Sequence, residues 1–524
     1  HHEQAAAFAV DGLGRMLGRP VVAMATSGPG ATNLITGIGS CYFDSVPAVF
    51  ITGQVNRHEL KRSSPVRQLG FQETDIVSMV RPITKAAWLI EDEDSLVARL
   101  EEAFELAVSG RPGPVLLDLP MDVQRLEVQA PIPPASLPER RVEPLPALLW
   151  ESLGKAQRPI VVAGSGAAQT ANREVLRKVI EGLGVPVVCS LLGNDFLEFE
   201  HPLRIGFYGS YGNRWANHAV GRADWMLVLG SRLDIRQTGA DVESFAKGKQ
   251  IFHVDVDRSE INNRVRGCHV ISMDLLSFAG SFLEAGHAVA GEWGQWRDEI
   301  QSNRVAWPAV AEYRAEEGLN PCELLESLSR SGAHAAAYVS DVGQHQMWAA
   351  QTLQLRRGQR FLTSGGMGAM GYALPAAIGA AYASSARAVV VIAGDGGFQL
   401  NLQELQTVVR NRLPIKILIL DNQCHGMVRQ FQQSYFHSRY HSTAWGYSAP
   451  DFAAVAAAYG LPALTIADPA DIPRAVSFFW EDPAEPCVLV ARIATEGNVY
   501  PKIAFGYPLT QMEPEVKPLE MEGT

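Results

Sequence analysis

The sequence predicts an α/β protein made of three doubly wound parallel-sheet domains, and three observations carry that prediction. Short runs of β-branched and aliphatic residues end in glycine turns, the pattern of strands buried on both faces. Between successive runs lies enough chain for a crossover helix, so the strands are expected to pair in parallel. At 524 residues, with 47% hydrophobic residues and 47 glycines, the chain is long enough for three domains with their own cores.

Residues 1–129 are the first expected domain, with an alanine-rich helix after His1-His2-Glu3-Gln4 and strands near 21–25, 46–52, 82–88 and 115–119. The chain opens without Met and in mid-element, so this domain is expected to be truncated at its N-terminal end. Pro131, Pro133, Pro134 and Pro138 mark a linker. A middle domain over 142–290 follows, with strands near 160–163, 185–189, 225–230 and 251–256. The third domain covers 318–495, and residues 496–524, with Pro508, Pro514 and Pro518, read as an extended tail. The first and third domains are expected to share one fold.

A net charge of −11 with no dense Lys/Arg run argues against nucleic acid or an anionic membrane as partner. The six cysteines are scattered without a C-x-x-C pair, which points to a reducing cytoplasm. No apolar run reaches the length of a membrane span.

Chemistry concentrates in the third domain. Residues 388–393, Ala-Val-Val-Val-Ile-Ala, read as a buried strand broken by Gly394-Asp395-Gly396-Gly397; a helical pattern follows, and residues 415–420 make a second strand ending in Asp421-Asn422. A right-handed βαβ crossover brings Asp395 and Asn422, 27 residues apart, to the carboxyl edge of the sheet, where open α/β sheets bind ligands. One carboxylate, one amide oxygen and glycine N–H groups suit a hard divalent cation holding a diphosphate. An ordinary nucleotide-binding βαβ unit is the alternative.

The GDG…N segment resembles the cofactor motif of thiamine-diphosphate-dependent decarboxylases and carboligases. The resemblance implies Mg²⁺ held by Asp395, Asn422 and the backbone carbonyl of Cys424, with Gly394, Gly396 and Gly397 around the diphosphate. It also implies that Glu3, in His2-Glu3-Gln4, is the carboxyl that hydrogen-bonds the aminopyrimidine ring and favours the imino form, which removes the thiazolium C2 proton. Ser27-Gly28-Pro29-Gly30-Ala31-Thr32-Asn33 beside it supports this, with Pro29 and Asn33 on cofactor-binding positions.

Within that superfamily the chain is similar to acetolactate synthase catalytic subunits over nearly its whole length. The matches include Phe71-Gln72-Glu73, Arg111-Pro112-Gly113-Pro114, Gly343-Gln344-His345-Gln346 and Gly365-Gly366-Met367-Gly368-Ala369-Met370-Gly371. They imply that Gln344 and His345 contact the diphosphate and that the Gly368 carbonyl meets the 4′-amino group. Met370 would be the wedge that bends the cofactor, with Gln72 among the catalytic residues and Met427 among the cofactor-binding ones. The bend makes C2 deprotonation effectively intramolecular. Apart from the family, Met370 reads as a core methionine and His345 as a buried or capping histidine.

The middle domain would hold FAD without redox work, through Arg111, Arg232, Asp255 and Asp274, although the family's Met-His-Gly is Phe207-Tyr208-Gly209 here. Phe71, Arg236 and Phe431 would face substrate, Phe431 standing where a tryptophan is usual. The expected activity is decarboxylation of pyruvate and carboligation to a 2-oxo acid. The alternatives are transfer to another carbonyl such as a keto-sugar nucleotide, non-ligating decarboxylation, or an inactive nucleotide-binding homologue. A homodimer or homotetramer is expected, with a small regulatory subunit left open.

Overall fold

The computed structural model describes residues 1–127, 143–286, 291–315 and 317–520. The proline-rich linker at 130–138 lies outside them.

The first sheet contains β1 (Val21–Ala25), β2 (Ala48–Gln54), β3 (Ala86–Leu89) and β4 (Pro114–Pro120), in the order β1-β2-β4-β3 with every pair parallel. The second contains β5 (Pro159–Ala163), β6 (Val187–Cys189), β7 (Arg204–Phe207), β8 (Trp225–Leu229), β9 (Gln250–Asp255) and β10 (His269–Ser272), in the order β10-β9-β8-β5-β6-β7. The third contains β11 (Ala335–Ser340), β12 (Arg360–Thr363), β13 (Ala388–Gly394), β14 (Ile415–Asp421), β15 (Ala463–Ile466) and β16 (Cys487–Arg492), in the order β12-β11-β13-β14-β16-β15. All pairs in these two sheets are parallel as well. Helices cover both faces, as parallel strands without polar alternation require.

The four-strand order β1-β2-β4-β3 repeats the order β13-β14-β16-β15, so the first and third domains do share a topology. Under this correspondence the turn after β1, Ser27-Gly28-Pro29, matches the turn after β13, Gly394-Asp395-Gly396. Residues 502–513 of the tail pair as an antiparallel ribbon, β17 (Lys502–Ile503) with β18 (Met512–Glu513), and Ile503 and Leu509 join the middle domain's core. A strand count from β-branched runs missed β7 and β10, which are short and carry arginine, glycine or histidine.

The helix Glu3–Leu17 lies along the helix Ala373–Ala383 of the third domain. Two glycines allow this approach: a Cβ on Gly12 would stand 2.1 Å from the Ala376 carbonyl oxygen, and one on Gly379 would stand 1.9 Å from that of Ala9. Phe8 is buried against Tyr372 in an edge-to-face contact at 5.4 Å. No helix among the described residues is long and apolar enough to cross a membrane.

Candidate active site

A cavity of about 360 Å³ opens at the carboxyl edge of the third sheet, where β11, β13 and β14 end. Asp395, Asn422 and Cys424 line it together, so the crossover delivers both side chains to one place as their spacing requires. Gly394, Gly396 and Gly397 form one wall, and Gln344, His345, Met370 and Met427 complete it. The glycines are sterically required here. A Cβ on Gly396 would stand 2.7 Å from the His425 ring, one on Gly397 2.5 Å from Asp341 Oδ1, and one on Gly426 2.0 Å from Gln344 Oε1.

Asp395 is 2% exposed and its Oδ2 has no partner. Burial, with the neighbouring Asp421 charge, pushes its carboxyl up to about 7. A buried carboxylate oxygen without a partner is unfavourable alone and is stabilised by a cation. Asn422 is held on both sides: its Nδ2 donates to Gln344 Oε1 at 3.2 Å and its Oδ1 accepts from the Cys424 N–H at 3.2 Å. Gln344 is fixed in turn by donating to the Gly497 carbonyl at 2.8 Å. Burial depresses the His345 imidazole to about 3, so it is neutral at physiological pH, and its Nε2 is also unpartnered. No cluster of three His, Cys, Asp or Glu side chains able to hold a metal occurs among the described residues.

The first domain builds a separate cluster. Asn33 donates to Glu3 Oε2 at 3.0 Å, and this hydrogen bond is the main cause of a Glu3 carboxyl below the usual range. Gln72 has a left-handed backbone, φ 65°, and packs where a Cβ on Gly28, one residue before Pro29, would stand 2.9 Å from its own Cβ. Phe71 beside it is 84% exposed, and Met24 on the edge strand β1 is 74% exposed. None of these residues lines the Asp395 cavity within the chain. Gly368 has φ 65° and lies in the loop before Met370, outside the cavity lining. Phe431 is half-buried against Tyr435 and Phe436 at 4.8 and 5.6 Å, also outside it.

In the middle domain, Arg232 and Arg236 line a smaller cavity of about 70 Å³ at the carboxyl edge of its sheet, with Ser165, Tyr208 and Asp234. Tyr208 donates its hydroxyl to Gln237 Oε1 at 2.7 Å. Three expected cofactor residues lie elsewhere. Arg111 pairs with Glu260 at 2.6 Å and Asp257 at 3.2 Å, joining the first domain to the second. Asp274 caps the helix Leu275–Ala285, and the buried Asp255 accepts from the Asp257 N–H at 2.8 Å.

Reading the sequence missed Trp348, His441, Ser442 and Thr443, which line the main cavity from the helix after β11 and from a loop after the helix Gly426–Tyr435. Periodicity carries no signal for a loop that folds back. Asp341 was findable: an acid closing a fully buried strand, two residues before Gly343, is out of place unless it binds backbone N–H groups.

Three family models match the chain: the thiamine pyrophosphate enzyme N-terminal TPP binding domain over residues 1–79, the central domain over 147–285 and the C-terminal TPP binding domain over 341–490. Acetolactate synthase 1, chloroplastic, of Zea mays is 37% identical over 96% of this chain and 80% of its own length. The acetolactate synthase large subunit of Cyanidium caldarium is 36% identical over 98% of this chain and 88% of its own. Acetolactate synthase isozyme 2 large subunit of Escherichia coli (strain K12) is 38% identical over 88% and 82%.

The chain belongs to the acetolactate synthase family of thiamine pyrophosphate enzymes.

Against that family's cofactor, thiamine pyrophosphate (thiamine diphosphate), the main cavity fits on three counts. It has an orphaned carboxylate oxygen, an orphaned neutral imidazole nitrogen, and a glycine wall where any side chain would collide. An anion beside glycine N–H groups and a hydrogen-bonding imidazole is well placed.

Proposed function

We propose that this chain is a thiamine-pyrophosphate-dependent acetolactate synthase that decarboxylates pyruvate and joins the remaining two-carbon unit to a second 2-oxo acid. One observation carries the reading: Asp395, Asn422, His345 and Met370 converge on one cavity in a chain whose relatives of that name match it nearly end to end. When bound, thiamine pyrophosphate supplies the nucleophilic carbon and takes up the electrons that CO₂ leaves behind.

The chain's own groups do the rest. Asp395, the Asn422 amide oxygen and the Cys424 carbonyl hold Mg²⁺, the hard cation that oxygen donors suit. The N–H groups around Gly394, Gly396 and Gly397, with His345, hold the diphosphate, and Gln344 keeps Asn422 turned toward the metal. Met370, which lines the cavity, would support the cofactor, and the Gly368 carbonyl would accept from its amino group. Glu3, oriented by Asn33, would hold a proton for the aminopyrimidine ring nitrogen. Gln72 and Phe71 border the reacting carbonyl, while Arg236 and Phe431 face the second substrate.

FAD in the middle domain is part of the same reading, supported by Arg232 and Arg236 at a sheet edge where dinucleotides bind. Arg111, Asp255 and Asp274 would reach it only by leaving their present partners. The absorbance of the purified holoprotein decides this by a flavin spectrum. A homodimer or homotetramer is proposed because Glu3 does not reach the Asp395 cavity within one chain. A small subunit is proposed from the "large subunit" names of relatives. Six free, buried cysteines support a cytoplasmic, reducing location.

The deciding experiment incubates the protein with ¹³C-pyruvate, Mg²⁺ and thiamine pyrophosphate and reads products by NMR. Labelled 2-acetolactate and CO₂ are expected; acetaldehyde alone, or untouched pyruvate, would overturn the reading.

A further inference from the structure

The loop over residues 364–372, between β12 and the helix Ala373–Ala383, carries Gly368 and Met370. Four of its residues are glycines, and Gly368 and Gly371 take φ of 65° and 81°. So permissive a backbone cannot hold one shape by itself, and its conformation has to be imposed from outside.

Two buried carboxylates impose it. Asp44, at the end of the helix Ile35–Phe43 in the first domain, accepts the Gly365 N–H on Oδ2 at 2.9 Å and the Gly366 N–H on Oδ1 at 2.7 Å. Asp341, at the end of β11, accepts the Gly371 and Ala373 N–H groups at 3.0 and 2.9 Å. Residues 367–370 span the gap between these clamps. A Cβ on Gly366 would stand 2.7 Å from Phe43 Cβ, so glycine permits the approach that Asp44 exploits. Ser40 adds a hydroxyl contact to Ser364 at 3.2 Å, and the same Ser364 oxygen accepts the Ala369 N–H at 3.2 Å.

Asp44 is itself fixed. Arg15 donates to its Oδ2 at 2.8 Å and to both oxygens of Asp11 at 2.7 and 3.2 Å, while Asp11 accepts the Tyr372 hydroxyl at 2.6 Å. Charge-assisted bonds in a largely buried setting hold geometry tightly. The chain Asp44–Arg15–Asp11–Tyr372 therefore leaves the loop at one end and returns to it at the other. None of these four side chains lines the cavity.

We propose that Asp44 is a positioning residue for the thiamine pyrophosphate site, setting from the first domain the place of Met370 in the third. The proposal rests on the reading of Met370 as the residue that supports the bent cofactor. Asp44 acts through the loop, so its removal is redundant once Met370 is gone.

The test compares wild type, Asp44→Asn, Met370→Ala and the double variant of the full chain. Without cofactor, amide hydrogen exchange over residues 365–370 is expected to quicken about tenfold or more in Asp44→Asn. With Mg²⁺ and thiamine pyrophosphate but no 2-oxo acid, C2 deuterium exchange in Asp44→Asn is expected to slow about tenfold while cofactor Kd stays within about threefold. The double variant should exchange at the Met370→Ala rate within about twofold. An Asp44→Asn protein with the wild-type C2 rate, or a double variant slowed by the product of the two single effects, overturns the proposal. If Asp44→Asn does not fold, Ser40→Ala removes one oxygen from the same clamp. A C2 rate lowered a few-fold then supports the proposal and an unchanged one overturns it. C2 exchange precedes any substrate, so a wild type that exchanges C2 but makes no acetolactate would sink only the reaction assignment.

Discussion

Asn33 donates its side-chain amide to Glu3 Oε2 across 3.0 Å, and that single bond is the largest influence on the Glu3 carboxyl, holding it ionised. Glu3 begins the helix Glu3–Leu17 and Asn33 ends the short helix after β1, so two elements converge to aim one charge. Glu3→Gln should leave cofactor affinity within about tenfold while slowing C2 deprotonation about a hundredfold or more, because an amide packs but cannot share a proton. Asn33→Ala should act more mildly and raise the lower apparent pKa of the pH–rate profile, since the ionised form loses its donor. NMR exchange at C2 and the pH profile of kcat read these effects. An unchanged exchange rate in Glu3→Gln would mark the carboxyl as structural.

Asp395 leaves one oxygen unpartnered in a buried position, and no basic side chain hydrogen-bonds it. Cation and diphosphate should therefore bind as one unit. Isothermal titration of wild type with thiamine pyrophosphate is expected to show tight binding with Mg²⁺ and a loss of about a hundredfold or more in excess chelator. Asp395→Ala should bind weakly in both conditions, and tight binding to the metal-free wild type would contradict the assignment.

Asp341 offers a pH test on a carboxyl outside the cavity lining. Burial raises its carboxyl from 3.8 to about 6 despite three backbone N–H donors, from Val342, Gly371 and Ala373. An acid whose folded pKa lies above its unfolded one holds more protons when folded, so its contribution to stability is largest below the unfolded value. That contribution declines as pH rises through about 6, by about 3 kcal/mol in all, and is level above. Asp341→Asn does not titrate. Thermal midpoints measured from pH 4.5 to 7.5 (about, by choice of buffer) should thus favour the variant progressively toward neutral pH. Parallel curves would show that Asp341 ionises freely in the fold.

What the sequence carried, and what it did not, follows from how each feature is encoded. The Asp395 and Asn422 pair was legible because a βαβ unit converts spacing directly into position. The three sheets were legible because parallel strands buried on both faces are continuously apolar. The roles of Asp44 and Asp341 were not, because each acts on backbone N–H groups that look alike in any sequence. The loop bringing His441 and Thr443 to the cavity was hidden too, since its path depends on left-handed residues His437, Ser438 and Ser442, none of them glycine. Arg111 illustrates the opposite risk: its motif position implied a cofactor contact, yet its guanidinium is committed to Glu260 and Asp257.

Two clusters that the proposed chemistry needs together, Glu3 with Asn33 and Asp395 with Asn422, do not share a cavity within one chain. The exposed Met24 on the edge strand β1 and the exposed Phe71 beside Gln72 offer apolar surface for a second copy. Mixing Glu3→Gln with Asp395→Ala protein should restore turnover toward about a quarter of wild type, because a random mixture places one intact site in half of the dimers. Analytical ultracentrifugation should show a dimer or larger. A mixture that exchanges subunits and stays inactive would mean that each chain completes its own site.

Phe431 packs on Tyr435 at 4.8 Å with the rings tilted by 57° and stays 43% exposed, leaving an aromatic wall without an indole. Against such a wall, one methylene is worth about 1–3 kcal/mol at most, and a smaller ring buries less of it. The wild type should therefore distinguish poorly between 2-oxobutyrate and pyruvate as acceptor. Phe431→Trp extends the wall and should raise the preference for 2-oxobutyrate severalfold, about 1 kcal/mol, with little change in pyruvate consumption. Equal concentrations of the two acids, with acetohydroxybutyrate measured against acetolactate, give the ratio directly. A wild type already strongly selective for 2-oxobutyrate, or a Phe431→Trp variant with the same ratio, would place the acceptor away from Phe431 and turn attention to Phe71 and Arg236.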